Sequence, residues 1–338
     1  MKKTSSKIIL GHGSGGKLSA ELINTLFLPA FTNEYLLPLG DQAVVNINGT
    51  RIAFTTDSYV VNPIFFPGGS IGDVAVNGTV NDLAVGGATP LYISAGIILE
   101  EGMPMEELER VVSDMKNACE RARVQLITGD TKVVEKGKGD KIFINTSGIG
   151  VVDNDVDMNP QRVQPGDKII VNGFIGEHGI AIMSVREGLE FESAVESDTA
   201  PLNHLVRDML NVSKNIRWMR DPTRGGLSSS LNELAQTSKK GIALNESDIP
   251  VPETVKAACE ILGLDPLYVA NEGKLLAVVP ANEAEKIIEA MHKNEQGKNA
   301  RIIGEIVDDH HGYVLLRTSI GGTRVVDMLA GEQLPRIC

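Results

Sequence analysis

The sequence predicts an α/β protein, α+β in part, divided into two domains and closed by a short tail. Three observations predict it. The 338 residues are about twice the usual single-domain length. Apolar runs with the period of strands alternate with runs at the period of helices along the whole chain. Asn159-Pro160 to Pro165-Gly166-Asp167 is the best linker, and a new pattern of elements starts after it. The domains are therefore placed at 1–158 and 159–328, with a tail over 329–338.

Taken in order, Lys7 to Leu10 reads as a short strand running into Gly11-His12-Gly13-Ser14-Gly15-Gly16-Lys17. Behind it, Leu18, Leu22 and Leu26 with Ile23 and Phe27 mark one face of a helix. A glycine-rich loop at a helix start presents backbone N–H groups to an anion such as phosphate. The stretch matches G-x-G-x-x-G but lacks a second strand with an acid about 20 residues on, and it misses the P-loop pattern because Leu18 replaces the metal-binding hydroxyl. It is read as a flexible, basic, anion-binding loop comprising His12, Gly13, Ser14, Gly15, Gly16 and Lys17.

Asp41 enters an apolar run, and Arg51 to Val61 reads as a strand ending or interrupted at Asp57. A helix from about Ile71 carries Asn81 and Asp82 on a largely apolar element. A charge is seldom buried without a partner, so Asp82 asks for a cation. Next come a strand over Leu91 to Leu99, an amphipathic helix over Pro104 to Ala122 and a strand from Val124 that runs into Gly129-Asp130-Thr131-Lys132. Lys141 to Val152 alternates like a strand. One such acid is an ordinary cap or turn residue. Four of them, Asp41, Asp57, Asp82 and Asp130, suggest a shared site for magnesium, which prefers carboxylate, water and phosphate oxygens.

After the linker, Lys168 to Phe174 reads as a strand and Glu177 to Arg186 and Pro201 to Asn211 as helices. Asp221-Pro222-Thr223-Arg224-Gly225-Gly226 then opens a helix to about Ser238. Arg224 with Gly225 at a helix start suits phosphate, and Asp221 adds a fifth acid. Strands over Leu275 to Val279, Arg301 to Val307 and Gly312 to Arg317 enclose a helix over Asn282 to Lys293. Glu272, between Asn271 and Gly273, reads by itself as a turn residue.

The net charge of −12, from 32 basic and 44 acidic residues, argues against nucleic acid and anionic membrane as partners. It also means that a polyphosphate needs a divalent cation between it and the protein. No apolar run approaches the ~20 residues that cross a bilayer. Three cysteines without a C-x-x-C fit a reducing cytoplasm. Cys119 and Cys259 sit on apolar helical stripes and read as core. Cys338 is different because it is the last residue, where a thiol is a liability unless something uses it. Gly331 offers a hinge, Pro335 pushes Leu334 toward an extended backbone, and a tail from Leu329 onward spans on the order of 30 Å. Such an arm can carry a group on sulfur between a partner and a cleft.

Seven stretches in order, HGSGGK, TTDSYVV, NGTVNDLAVGGATP, GDTKVV, DPTRGGL, ANEGKL and a terminal PRIC, together resemble the HypE family, the carbamoyl dehydratases of hydrogenase maturation, over essentially the full length. The wider relatives, aminoimidazole ribonucleotide synthetase, selenophosphate synthetase and thiamine-phosphate kinase, share a two-domain ATP-binding fold without this tail. The resemblance implies that fold, with ATP binding and dimerisation in residues 1–158, a C-terminal α/β domain and a mobile tail. It implies a homodimer paired through the N-terminal sheets. The carbamoyltransferase HypF would load Cys338, ATP would drive conversion of S-carboxamide to S-thiocyanate, and cyanide would pass to iron on the HypC–HypD complex. With the chemistry of the residues, it implies Mg²⁺ on Asp41, Asp82, Asp130 and Asp221. Asp57, Asn81, Thr131, Arg224, Gly225 and the first glycine loop would surround ATP, Lys132 would stabilise charge at the transferred group, and Glu272 would act as base. His178 would touch phosphate or tail, or serve as a structural cap. The alternative within the same superfamily is a small-molecule ATP-dependent kinase or synthetase, which has no need of Cys338.

Overall fold

Two separate sheets organise the chain, one drawn from residues 43–152 and the other from 168–326. The computed structural model describes residues 7–189, 194–331, 334 and 336–338; the effect expected of Pro335 falls outside them. No strand forms over 7–10. Instead the Ile9 N–H donates to His12 Nδ1 at 3.1 Å, which consumes a donor that a strand partner would need, and Leu10–Gly13 winds into a short 3-10 turn. Then follow α1 (Lys17–Leu22), a π turn (Ile23–Phe27) and α2 (Leu28–Phe31), none of which buries a residue.

The first domain contains β1 (Ala43–Ile47), β2 (Thr50–Tyr59), a small hairpin of β3 (Phe65–Phe66) and β4 (Gly69–Ser70), α3 (Ile71–Val85), β5 (Ala88–Glu100), α4 (Met105–Ala122), β6 (Gln125–Val134) and β7 (Ile142–Val152). The sheet order is β1-β2-β7-β5-β6, and only the β5–β6 pair is parallel. Ser70 starts α3 with a capping box: its hydroxyl accepts from Gly72 N at 3.1 Å while Asp73 Oδ2 accepts from Ser70 N at 3.0 Å. Nearly every residue of α3 is buried, which explains its apolar circumference. Gly78 lets it settle onto β2, since a Cβ there would stand 2.3 Å from the Tyr59 hydroxyl. Cross-strand neighbours Phe54, Ile149 and Tyr92 stay exposed, as do Ile127 and Val133 on the edge strand β6.

The second domain comprises β8 (Lys168–Val171), α5 (Glu177–Glu187), α6 (Asn203–Val212), β9 (Trp218–Arg220), α7 (Gly226–Ser238), β10 (Gly241–Asn245), α8 (Glu253–Leu262), β11 (Leu276–Val279), α9 (Ala284–His292), β12 (Arg301–Val307), β13 (Val314–Arg317) and β14 (Thr323–Val326). Its sheet runs β14-β13-β10-β12-β8-β11-β9. The unbroken apolar runs of β8 and β11 arise because both faces are covered. Ile170 and Ala277 pack toward α6 and α9, whereas Ile169, Val171, Leu276 and Val278 pack in a second core with Leu227, Leu231 and Leu234 of α7. The core around α6 also takes in Leu83, Ala84, Val85 and Val152, so the two domains share it. Asp82 therefore sits at the domain seam.

Among the described residues no helix is long and apolar enough to cross a membrane. The tail, expected to be mobile, is docked in this conformation. Ile337 and Cys338 join the core of the first domain beside Tyr59, Val61, Phe66 and Ala270. The Val60 N–H donates to the Cys338 carbonyl at 3.1 Å and the Asn62 N–H to that of Arg336 at 3.2 Å, so the tail is held along the chain that leaves β2.

Candidate active site

Three elements meet at the seam, each bringing an acid. Asp41 lies just before β1, Asp82 in the last turn of α3 and Asp221 directly after β9. One carboxylate oxygen from each lies within 4.8 Å of the others. Burial holds Asp82 well above the usual carboxylate range, with Asp221, Asp41 and Asp57 adding to the effect. Burial and then Asp41 push Asp221 up to about 7. Acids this close, Asp221 buried and Asp41 and Asp82 half-buried, need a cation, and a donor set made only of carboxylate oxygens suits a hard divalent ion. Arg220, which the sequence reading missed, supplies part of that charge. Its Nε is 2.9 Å from Asp41 and its guanidinium 3.1 Å from Glu233. Thr55 donates to Asp82 at 3.0 Å and to the Asp41 carbonyl at 2.6 Å, fixing two of the acids from β2.

A cleft of about 200 Å³ opens over the cluster, lined by Gly15, Asp57, Arg220, Thr223, Arg224 and Ser229 among others. Arg224 closes it on one side: it donates to the Gly13 carbonyl at 3.2 Å, and its own pKa is raised, chiefly by Cys338. Gly225 has φ +75, and a Cβ there would stand 2.1 Å from Ser229 Oγ, so the tight approach of this loop to α7 requires glycine. The first glycine loop leans on the base of the tail. Ser14 donates to the Gly331 carbonyl at 3.1 Å, the Lys17 N–H to the Leu329 carbonyl at 3.0 Å, and Lys17 Nζ pairs with Asp327 at 2.6 Å.

Cys338 is 8% exposed. Burial pushes its thiol up to about 12; Arg224 opposes this, while Glu272, Asp57 and Asp221 add to it. Glu272 is 2% exposed and held well above its ordinary range by burial, then by Asp221, Asp198 and Asp57. The loop bearing it is fastened on every side. Asp198 accepts from Glu272 N at 3.1 Å and Gly273 N at 3.3 Å and pairs with Lys274 at 3.0 Å, while Asn271 donates to the Pro222 carbonyl at 2.8 Å.

Asp41, Asp57, Asp82, Asp221, Arg224, Gly225, Glu272 and Cys338 thus converge. Others do not. Asn81 serves the seam rather than the cleft: its amide donates at 3.0 Å to the carbonyls of Ala200 and Glu272 and accepts from Leu202 N at 2.8 Å. Asp130, Thr131 and Lys132 lie apart from the cluster on exposed β6, with Asp130 and Lys132 paired at 2.7 Å. Register explains the separation, because Asp57 faces Thr146, Thr146 faces Ala95 and Ala95 faces Gly129. Three strand spacings put about 14 Å between Asp57 and β6. Spacing in sequence cannot reveal which strands are neighbours. Arg220 stood beside a recognised motif, but Asp198 carried no signal of its own.

The two layered domains with clustered acids at their seam define the class: family models of the AIR synthase related protein match residues 39–152 with its N-terminal domain and 164–317 with its C-terminal domain. Within that class the chain belongs to the HypE family. It is 53% identical over 327 residues to carbamoyl dehydratase HypE of Azotobacter vinelandii, covering 97% of this chain and 96% of that one. A chain in the crystal structure of a HypE–HypF complex is 46% identical with a TM-score of 0.87, covering 91% of this chain and 99% of that one. The crystal structure of hydrogenase maturation protein HypE in complex with ATP matches at 46% identity and TM-score 0.83, covering 98% and 100%.

Proposed function

We propose that this protein dehydrates an S-carbamoyl group on its own Cys338 to S-thiocyanate at the expense of ATP, supplying the cyanide ligands of the [NiFe]-hydrogenase iron. The observation that carries this reading is the docked terminus: Cys338 is buried in the core, its carbonyl accepting from Val60 N, and its thiol feels the charges of Arg224, Glu272, Asp57 and Asp221, the last a member of the acid cluster. The ATP-bound and HypF-bound relatives support the nucleotide and the carbamoyl donor. The three cysteines, all free, are in keeping with a cytoplasmic setting.

An amide oxygen is a poor leaving group, so it must be activated. Transfer of the γ-phosphoryl group of ATP onto it turns it into phosphate. The C–O bond then breaks as the nitrogen gives up both protons, one to Glu272 and one to the departing phosphate, and forms the nitrile. The balance is one S-carboxamide and ATP giving one S-thiocyanate, ADP, phosphate and a proton. Glu272 takes the N–H proton: burial makes its carboxylate a strong base, and Arg224 favours its ionised form. Mg²⁺ held by Asp41, Asp82 and Asp221 would neutralise the phosphate charge as it develops. Arg224, Gly225 and the loop from His12 to Lys17 border the space the phosphates need. The buried setting keeps water from the activated amide.

Asp130, Thr131 and Lys132 enter this scheme through a homodimer in which a second copy covers the bare sheet face and the β6 edge, bringing Lys132 to the transferred group. The exposed Phe54, Tyr92, Ile127, Ile149 and Val133 supply the apolar surface for it. HypF as carbamoyl donor and the HypC–HypD complex as cyanide acceptor complete the proposal. Intact mass spectrometry after incubation with the carbamoyltransferase, carbamoyl phosphate and ATP tests it. A carbamoyl adduct on Cys338 that loses one water only with ATP supports the reading, and no adduct rejects it.

A further inference from the structure

From the arrangement around the docked tail we infer that His178 is a positioning residue that frees the Glu272 carboxylate only when the tail is in place, so that docking itself arms the base. The inference rests on the dehydratase reading above.

His178, at the start of α5, is fully buried, with the Phe66 ring edge-on to it at 5.4 Å. Its Nε2 lies 2.8 Å from the Ile337 carbonyl, the last peptide oxygen before the reacting residue. A carbonyl can only accept, so Nε2 carries the hydrogen. Nδ1, 2.7 Å from Ser197 Oγ, is then the acceptor of the serine hydroxyl in the neutral ring. Burial lowers the His178 pKa, which favours that neutral ring. The serine is itself fixed, its oxygen accepting from Thr199 N at 3.2 Å. One tautomer is therefore selected from both ends of the ring.

The same Nε2 lies 4.0 Å from Glu272 Oε1, and that oxygen is a buried acceptor without a hydrogen-bond partner. An orphaned acceptor in a dry site is costly, and it persists because the tail has claimed the nearest donor. When the tail leaves, Nε2–H loses the Ile337 carbonyl, and a swing of about 1 Å around the Ser197 bond carries it onto Glu272. Two states of one donor follow. Undocked, His178 satisfies Glu272 and blunts it as a base; docked, His178 grips the substrate peptide and leaves Glu272 Oε1 open to the carbamoyl N–H.

The experiment combines single-turnover dehydration of the carbamoylated chain under saturating ATP with iodoacetamide labelling of the free Cys338 thiol. His178→Ala is expected to slow thiocyanate formation at least tenfold and to speed labelling several-fold. His178→Gln, whose amide nitrogen can replace Nε2, is expected to recover most of both. Unchanged rates in His178→Ala, or equal losses in the two variants, would overturn the inference. The swap is read separately from ¹⁵N-histidine spectra of the full chain. Glu272→Gln should shift the His178 ring signals when Ile337→Asp has undocked the tail, and should leave them in place in the docked chain. A shift in both or in neither rejects the swap. If the wild-type carbamoylated chain forms no thiocyanate with ATP, the dehydratase reading fails, which is distinguishable from turnover that is indifferent to His178.

Discussion

Replacing Asp82 with asparagine should make the metal-free protein more stable while disabling it. The carboxylate sits in a half-buried cluster whose oxygens lie within 4.8 Å of one another, and Thr55 donates to it at 3.0 Å. Asparagine keeps an oxygen for Thr55 and nearly the same volume, so the main change is the loss of one charge. At that separation and an effective dielectric near 20, two full charges repel by about 3 kcal/mol. The cluster shares protons and Arg220 already offsets part of the charge, so the expected gain at pH 8 without metal is about 1–2 kcal/mol, a rise in Tm of roughly 1–3 °C for a chain of this length. The assay is thermal unfolding in a chelator at pH 8, followed by titration with MgCl₂. Wild type should gain stability with Mg²⁺, and the Asp82→Asn protein should gain much less. A variant less stable than wild type in chelator, or one that responds equally to Mg²⁺, would refute the assignment of Asp82 to a repulsive metal-binding cluster.

Asp221 gives a pH dependence with a definite sign. Its folded pKa of about 7 against an ordinary 3.8 means that the folded chain retains a proton the unfolded chain has lost, so stability falls as pH rises through that window. Mg²⁺ should reverse the fall, and its stabilisation, measured by calorimetry, should be small near pH 5 and largest above pH 7. Removing the cation that now serves the cluster has the opposite effect from removing an acid: Arg220→Met leaves Asp41 and Glu233 unpaired and should cost about 3 kcal/mol in chelator, part of which Mg²⁺ restores in a denaturant titration. Lysine at both Ile127 and Val133 should leave the protomer fold intact by circular dichroism, yet halve the mass seen by light scattering and abolish dehydration.

Element types were legible where period and punctuation agreed. Arg301–Val307 formed the strand its residues predict, α3 and α7 follow their serine and glycine starts, and α4 follows its amphipathic pattern after Pro104. The strand expected at 7–10 was one failure, because an apolar run of three residues before glycines has no partner in the sheet and a local bond to His12 displaces it, and β2 runs through Asp57 without the expected break. The site was half legible. Asp82 announced itself as a charge on an apolar helix, and Asp221 and Arg224 stood in a glycine-bearing motif.

Other members depended on approach in space. Asp130 resembles Asp41 as a residue type, but three strand spacings separate its strand from the cluster. Arg220, Asp198 and Ser197 gain their roles only from what packs beside them. The sequence by itself determined most of the elements, the acids and a cysteine at the last position, because period, charge and chain position are local properties. Tertiary structure alone decided that the last sulfur lies in the first domain's core beside Glu272 and that His178 holds its peptide. The His178–Ile337 contact joins residues 159 positions apart, and burial, which sets the chemistry of the site, exists only once the chain has closed around it.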